Sequence, residues 1–345
     1  NFSQVVTKGT IFARMAPDQK TQLVEMLQSL DYIVAMCGDG ANDCGALKAA
    51  HIGISLSEAE ASVAAPFTSR VANITCVLKL IQEGRCALVT SFGIFKYMAL
   101  YSLIQFITVL ILYTRASILG NMQFLYIDLV ITTSIAVVMG RTGPANRLVS
   151  KRPMGSLMSA SNIIPLIIQV LLTIAVQIAT LYFLMQQHWF EPIKKKDLPE
   201  ETVLCWENTS LFCVSSYQYV ILAVVYSKGE PHRKPFYSNL LFLIAVVILT
   251  LFTTLLLLYP AEPLAEIFEL IPVSNKPDFF HFRLWLLAFP VVNLLLSTFI
   301  ETCVADTRWF KSLLHFLKGK KEPKNRYKQI DREMSINSWL HEVNM

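Results

Sequence analysis

Short apolar and polar blocks alternate along residues 1–84 of the chain. Residues 11–15 (IFARM) predict a strand, and Pro17 and Asp18 open a helix with leucines along one face. An apolar run without alternation follows at 32–38 (YIVAMCG), then the turn GDGAND, a helix over CGALKAA and a strand over HIGISLS. The order strand–helix–strand–helix–strand predicts a doubly wound α/β layer.

Long apolar runs replace this pattern after residue 85. Six of them reach or approach the ~20 residues that a helix needs to cross ~30 Å of hydrocarbon. They cover residues 90–113, 119–139, 163–185, 211–227, 238–259 and 284–304. The fourth run is shorter and carries several polar side chains, so hydropathy supports it least. The pattern predicts an α-helical domain of six transmembrane helices over residues 85–304.

Lysine and arginine are distributed unevenly between the loops that join these six runs. Sixteen lie in the loops near 140–161 and 228–237 and in the tail after residue 305, and far fewer lie in the opposite loops. The positive-inside rule therefore predicts that the α/β domain and the tail face the cytosol. The loop 186–210 is then luminal or extracellular, and its sequon Asn208-Thr209-Ser210 supports this weakly because random sequons are common.

The composition restricts the classes of protein that fit. Hydrophobic residues make up 54% of the chain and charged residues 16%, with a mean hydropathy of +0.47. Soluble globular proteins carry about 25% charged residues, so a wholly soluble protein and a disordered chain are excluded. The net charge is +5, but the basic residues lie between apolar runs rather than on one polar domain, so no nucleic-acid partner is expected.

Cysteines and the basic tail suggest contacts on the two sides of the membrane. The seven cysteines include no CxxC pair and no zinc spacing, and most are expected to be small buried residues. Cys205 and Cys213 could form a disulfide if their loop faces an oxidising lumen. The tail 305–345 carries a basic run at 318–324, which indicates a solvated cytosolic segment or, alternatively, contact with anionic membrane lipid.

The motif GDGAND follows an apolar strand, at the edge of the sheet where ligands bind in open α/β folds. Its two glycines permit tight turns and the close approach of a phosphate. Asp39 and Asp43 place two carboxylates on one short loop, and Mg²⁺ is typically held by one or two carboxylates with waters and substrate phosphate. The motif therefore suits Mg²⁺ and phosphate, although a bare GDG is more often a turn that binds nothing.

Lys20 favours a phosphate site at GDGAND over a turn that binds nothing. It lies in ARMAPDQK, 19 residues before Asp39, and a lysine near the same sheet edge would neutralise phosphoryl charge. Together, ARMAPDQK and GDGAND resemble the P-type ATPases, whose phosphorylation domain belongs to the haloacid dehalogenase superfamily and has a Rossmann-like α/β fold. The resemblance implies that ATP is the substrate, that Lys20 contacts the phosphoryl group and that Asp39 binds Mg²⁺. It also implies that Asn42 and Asp43 support the phosphate site.

The sequence departs from that family in one respect. It contains no DKTGT segment, which carries the nucleophilic aspartate, and no counterpart of the nucleotide-binding domain, the actuator domain or the first four membrane helices. The chain thus resembles half of a phosphorylation domain (1–84), the family's fifth to tenth membrane helices (85–304) and a cytosolic tail (305–345). We expect the isolated chain to form no aspartyl phosphate and to require the amino-terminal part of the pump as its partner.

One acidic side chain lies well inside a predicted membrane span. A carboxylate at the depth of Asp128 costs roughly 2.5–3.5 kcal/mol on insertion scales, which indicates function more often than structure. Gln105 and Asp128 each lie about eight residues from the luminal ends of adjacent spans, so antiparallel helices would place them at one level, ~12 Å deep. A structural, hydrogen-bonding aspartate is the alternative.

Aromatic neighbours sharpen the prediction of a cation site. Tyr101 is four residues before Gln105, and Phe124, Asp128 and Thr132 are spaced for one helix face. With no lysine or arginine at that level, one carboxylate, one amide and two rings suit a cation, and the rings favour an organic ammonium. The alternative is that the rings merely pack helices and that the glutamine bonds a neighbouring helix.

A narrower resemblance agrees with this chemistry. MALYSLIQF and NMQFLYIDLVITTSIAVVMGRTGPA resemble the type-five P-type ATPases of the B branch, which transport polyamines across endosomal, lysosomal and related membranes. The resemblance implies transport of spermine-like polycations from lumen to cytosol, with Tyr101, Gln105, Phe124 and Asp128 lining the site. One carboxylate is little charge for a polycation, so further acids would have to come from the part of the pump outside this chain.

Two other functions remain open from the sequence. An inorganic-cation pump would use the same phosphorylation chemistry, but such pumps usually place several carboxylates or carboxamides in this helix pair, where Asp128 is the only carboxylate. A catalytically inactive membrane fragment that associates with an intact pump would explain the missing nucleophile. A DKTGT segment immediately upstream in the transcript would remove the support for the second alternative.

Overall fold

The computed structural model describes residues 2–58, 62–192, 203–272, 277–305 and 325–337. The chain divides into two compact units. The first comprises residues 1–81 and 315–345, and the second comprises residues 82–314.

The first unit contains a three-stranded parallel sheet in the order β1-β2-β3. Its elements are α1 (Phe2–Lys8), α2 (Pro17–Ser29), β1 (Ala35–Gly38), α3 (Cys44–Ala49), β2 (Ile52–Ser55) and β3 (Phe67–Thr68). Helix α2 begins at Pro17, whose fixed φ suits a first turn, and the Gln19 side chain accepts a hydrogen bond from the Ala16 amide at 2.9 Å. Strand β1 ends at Gly38, which leaves the GDGAND loop at the carboxyl edge of the sheet.

The strand order differs from the prediction. Residues 11–15, expected to form the first strand, have no regular secondary structure, and Arg14 has a positive φ of 54°. Ile11 is 86% exposed, so this segment lacks the side-chain packing that stabilises a strand. The third strand is instead β3, which follows β2 and pairs with it in parallel. The prediction of a strand at 11–15 is therefore wrong, whereas α2, β1, α3 and β2 lie within the segments where the pattern placed helices and strands.

The second unit is a bundle of helices. Six helices of the described chain are long and apolar enough to cross a membrane. They are α4 (Thr75–Thr114, which begins in the first unit), α5 (Asn121–Met139), α6 (Ala160–Met185), α7 (Trp206–Tyr226), α8 (Leu240–Leu258) and, after the short α9 (Glu262–Ile267), α10 (Asp278–Thr302). The prediction of six long apolar helices is confirmed for the part of the chain that the structure describes.

Helix α7, the span that hydropathy supported least, is the centre of the bundle. It packs against α6, α8 and α10, and 94% of its most apolar window is buried. Its polar side chains Ser215, Ser216 and Gln218 are fully buried among these helices. A helix surrounded by protein can carry hydrogen-bonding side chains that lipid would not tolerate, which is why its hydropathy is low.

The structure supports neither the sequon nor the disulfide that the sequence offered for the loop before α7. Asn208, the acceptor residue of the sequon, lies in the first turn of α7, is fully buried and donates from Nδ2 to the Val203 carbonyl at 2.9 Å. The sequon therefore gives the topology no support. Cys205 and Cys213 are buried free thiols, and eight residues along a helix separate them by ~12 Å, too far for a disulfide.

Helix α11 (Arg326–Asn337) belongs to the first unit and lies on α1. The Tyr327 ring stacks on Tyr32 with centroids 4.2 Å apart, and Asp331 accepts a hydrogen bond from Lys8 at 2.8 Å. This part of the tail is therefore attached to the first unit. The basic run at 318–324, expected to be solvated or to contact lipid, lies outside the described residues.

Candidate functional site

Lys20, in the first turn of α2, and Asp43, in the turn after β1, form an ion pair at the sheet edge. Lys20 Nζ donates to Asp43 Oδ1 at 2.7 Å. Asp43 is buried and Lys20 is half-buried, so each charge is balanced by the other in partly desolvated surroundings. The structure thus brings Lys20 to the GDGAND loop, where its partner is Asp43.

The approach of Asp43 to β1 requires a glycine at position 38. A Cβ atom on Gly38 would lie 2.6 Å from Asp43 Oδ2, which is well inside van der Waals contact. A Cβ atom on Gly40 would meet no atom of the described residues within 4 Å. The first glycine of the motif is therefore needed to seat the carboxylate, and the second is not needed to avoid a clash.

Asp39 and Asn42 have exposed side chains on the same loop. Among the residues that the structure describes, no three His, Cys, Asp or Glu side chains are grouped as a metal site. This arrangement fits Mg²⁺ rather than a metal that needs a full set of protein ligands, because Mg²⁺ keeps several waters and is usually held by one or two carboxylates with phosphate oxygens. Asp39 is the exposed carboxylate that could hold it.

Cys37 is a neutral thiol beside this loop. Burial raises the pKa of Cys37, and the neighbouring Cys76, Asp39 and Asp43 raise it further. The raised pKa disfavours the thiolate, which is the form of cysteine that acts as a nucleophile or a metal ligand. The chemistry of the loop therefore rests on its carboxylates and on Lys20.

Gln105 and Asp128 meet between α4 and α5. Gln105 Nε2 donates to Asp128 Oδ1 at 3.1 Å. Their depths, counted from the helix ends, predicted that the two side chains would lie at one level, and the contact agrees with that prediction. Asp128 is exposed on the surface of the second unit, so its carboxylate has access to a ligand.

A π-helical segment, Tyr126–Thr133, carries Asp128. Such segments carry hydrogen bonds between residues five apart instead of four and are frequent at functional sites. The Thr133 hydroxyl donates to the Asp128 carbonyl at 2.7 Å, five residues back. Thr132 is 2% exposed, whereas Asp128 is exposed and Phe124 is half-buried. The shared helix face of Phe124, Asp128 and Thr132 stays a prediction, and Thr132 is the member that is not accessible to a ligand.

The two aromatic residues of the predicted site lie at the margin of the core. Tyr101 and Phe124 are half-buried and pack against the large apolar cluster of the bundle. The Tyr101 ring lies 6.4 Å from that of Tyr97, which is fully buried. Both residues therefore have a packing role, while their partial exposure leaves ring surface on the helices that carry Gln105 and Asp128.

A buried polar row, missed by the sequence reasoning, begins one turn beyond Gln105 on α4. Gln177 Nε2 donates to Thr108 Oγ1 and to Gln218 Oε1, both at 2.9 Å. The three side chains are at most 1% exposed and connect α4, α6 and α7 without any charge. The sequence does show glutamines within the apolar spans. A hydropathy value averaged over a whole span does not reveal them.

Known proteins resemble this chain over nearly its whole length. The family described as Cation transporting ATPase, C-terminus, matches residues 116–301. The polyamine-transporting ATPase 13A2 of Homo sapiens is 48% identical over 339 residues, which cover 97% of this chain and 28% of that protein. The polyamine-transporting ATPase 13A3 of Homo sapiens is 41% identical over 363 residues, which cover 97% and 29%. The vacuolar cation-transporting ATPase YPK9 of Saccharomyces cerevisiae is 42% identical over 336 residues, which cover 97% and 22%.

The matched region is the carboxyl-terminal part of these relatives, and the chain spans less than a third of their length. The family resemblance drawn from ARMAPDQK, GDGAND and MALYSLIQF is therefore confirmed. The six apolar helices agree with the membrane domain that the family description implies. The chain belongs to the P-type cation-transporting ATPases of the type-five B branch, of which it represents a carboxyl-terminal part.

Proposed function

We propose that this chain forms the carboxyl-terminal part of an ATP-driven pump that moves spermine-like polyamines from lumen to cytosol. The observation that carries the proposal is the 3.1 Å contact between the Gln105 amide and the Asp128 carboxylate, on two helices able to span a membrane. Two relatives are named as polyamine-transporting ATPases and a third as a vacuolar cation-transporting ATPase. An endosomal or lysosomal membrane, with residues 1–84 and the tail in the cytosol, fits that cargo.

Asp128 supplies the negative charge of the proposed site. Among the described residues its carboxylate pairs with the neutral Gln105 amide and with no cation. An unbalanced carboxylate within a span costs several kcal/mol, and a bound ammonium group would offset that cost. The exposed ring surface of Tyr101 and Phe124 favours an organic ammonium over a bare metal ion.

The first unit would serve the phosphorylation step that drives the pump. An aspartate outside this chain would accept the phosphoryl group of ATP. Lys20, held by Asp43, offsets phosphoryl charge at the carboxyl edge of β1, and Asn42 offers an amide on the same loop. Asp39 would hold Mg²⁺, which neutralises phosphate charge when bound. Asp128 couples the two units by binding the cation better in one conformational state than in the other.

Phosphoenzyme decay in the full-length pump, with spermine, Ca²⁺ or buffer added, tests this function. We expect spermine to accelerate decay. In Asp128→Asn we expect the spermine concentration for half-maximal acceleration to rise roughly 30-fold, because loss of one partner from a desolvated charge pair costs ~2–5 kcal/mol. Phosphorylation by ATP should persist in that variant.

Asp278→Asn is the matched control, because it removes an exposed carboxylate from the beginning of another spanning helix, α10. Its spermine response should equal that of the parent pump. An unchanged response in Asp128→Asn would contradict the site.

The same measurement separates the other two functions. The amide and carboxylate oxygens of Gln105 and Asp128 are also ligands for a hard inorganic cation, although Ca²⁺ takes six to eight oxygens. Acceleration by Ca²⁺ and not by spermine would therefore replace the polyamine pump by an inorganic-cation pump. Absence of any phosphoenzyme, combined with recovery of the chain in complex with an intact pump, would favour the inactive associated fragment.

A further inference from the structure

A cavity of about 300 Å³ lies within the second unit. Helices α4, α6, α7 and α10 contribute to its wall, together with the segments 151–154 and 228–232. Its deepest residue along α4, Lys96, precedes Gln105 by nine residues, or ~13 Å along the helix. The cavity is therefore separate from the Gln105–Asp128 pair and lies toward the end of the bundle that the distribution of basic residues predicts to be cytosolic.

The lining carries an excess of positive charge. Four basic side chains face two acidic ones: Lys96, Lys151, Arg152 and Lys228 against Glu230 and Glu301. Lys228 Nζ lies 2.6 Å from Glu301 Oε1, and the Glu301 side chain is 5% exposed, so that carboxylate is neutralised within the wall. Lys151 and Arg152 are exposed at the cavity and dominate the charge that a ligand would meet.

The pKa of His232, which also lines the cavity, is affected by this positive charge. Burial lowers the pKa of His232, and the neighbouring Arg85 and Lys151 lower it further. A neutral imidazole near pH 7 can donate or accept one hydrogen bond without adding charge. The cavity therefore attracts an anion through its lysines and arginine.

Apart from Glu301 Oε1, which pairs with Lys228, two buried polar atoms of the lining have no hydrogen-bond partner among the described residues. They are the Tyr226 hydroxyl and Asn162 Oδ1, on residues that are at most 4% exposed. The Asn162 Nδ2 donates to the Ser156 carbonyl at 2.8 Å, which leaves Oδ1 as an acceptor. Buried polar groups are almost always partnered, so one free donor and one free acceptor in a cavity indicate a polar ligand.

We propose that this cavity binds the headgroup of an anionic phospholipid. The basic lining matches a phosphate, the Tyr226 hydroxyl donates to it, and Asn162 Oδ1 accepts from a headgroup hydroxyl. Val89, Phe92 and Met154 line the same cavity and offer apolar surface to the carbon chain next to the headgroup. This mixture of apolar wall and basic side chains, at the end of spanning helices, suits a lipid better than a soluble phosphate.

Native mass spectrometry of the full-length protein, titrated with short-chain phosphatidylglycerol, tests the proposal. Because Lys151 and Arg152 would each contribute about one lipid-charge contact, the double variant Lys151→Gln/Arg152→Gln should bind roughly 30-fold more weakly. Tyr226→Phe keeps the ring and removes the hydroxyl, and it should lower affinity roughly tenfold, as loss of a hydrogen bond to a charged group does.

Arg147→Gln/Lys234→Gln is the matched control. It removes two exposed basic side chains that do not line the cavity, one from each of the two loops that contribute to the cavity wall. The affinity of this variant for the lipid should therefore equal that of the parent. Equal weakening in both double variants would overturn the proposal in favour of general surface attraction. Displacement of the lipid by glycerol phosphate at equal concentration would overturn the lipid as the ligand. Binding is measured without ATP, so the result does not depend on what the pump transports.

Discussion

Asp43 and Asp128 are carboxylates in two regions of the molecule, and their partners differ. Asp43 lies in the α/β unit with Lys20 Nζ at 2.7 Å, whereas Asp128 lies on a spanning helix with the neutral Gln105 amide at 3.1 Å. The protein balances the first charge itself and leaves the second charge unbalanced. Among the described residues, a lysine thus fixes the position of Asp43, whereas Asp128 has an amide partner and, under the proposed function, is left to bind a cation.

The backbone positions the two carboxylates by different means. Asp43 fits against β1 because Gly38 has no Cβ atom. Asp128 lies in the π-helical segment Tyr126–Thr133, where it is exposed while Thr132 is buried. Substitutions at Gly38 and at the neighbours of Asp128 should therefore affect the two carboxylates separately.

Gly38→Ala should disrupt the contact between Asp43 and Lys20. The new Cβ atom would overlap Asp43 and displace it from Lys20. Since a shift of about 1 Å at a reactive site can cost ~100-fold, phosphoenzyme formation from ATP in the full-length pump should fall by that order. Gly40→Ala is the control, because the space around that position is open, and its labelling should stay within about twofold. Equal loss in both variants would contradict a specific role for the Gly38–Asp43 contact.

Gln105→Leu should weaken the binding of spermine at Asp128 without abolishing it. Asp128 keeps its charge but loses a hydrogen bond worth ~1 kcal/mol, so the spermine concentration for half-maximal phosphoenzyme decay should rise roughly fivefold. This is less than the effect of Asp128→Asn. The control Gln187→Leu removes an amide that bonds only its own helix end and should leave the response unchanged. An effect of Gln105→Leu larger than that of Asp128→Asn would reverse the assignment of the main ligand.

Thr132→Val should have the smallest effect. Thr132 is buried, and valine has nearly the same shape, so the spermine response should stay within about twofold of the parent. The measurement is again phosphoenzyme decay as a function of spermine concentration. A change as large as that of Gln105→Leu would make the Thr132 hydroxyl part of the cation site.

A prediction from the sequence succeeded where its signal came from residues close together along the chain. The six spans were predictable because ~20 apolar residues determine a crossing whatever their neighbours are. The level shared by Gln105 and Asp128 followed from counting residues between helix ends. The strand at 11–15 failed because a strand needs a neighbour to pack against.

The sequence by itself determined the number of spans, the helix and turn around GDGAND and the membership of the chain in its family, because each of these rests on local pattern or on identity along the chain. Only the tertiary structure decided that Lys20 pairs with Asp43, that α7 is the buried centre, and that Gln177 connects Thr108 to Gln218. These contacts join residues distant along the chain. Their partners are selected by packing and by the need of buried polar groups for hydrogen bonds, which no local pattern records.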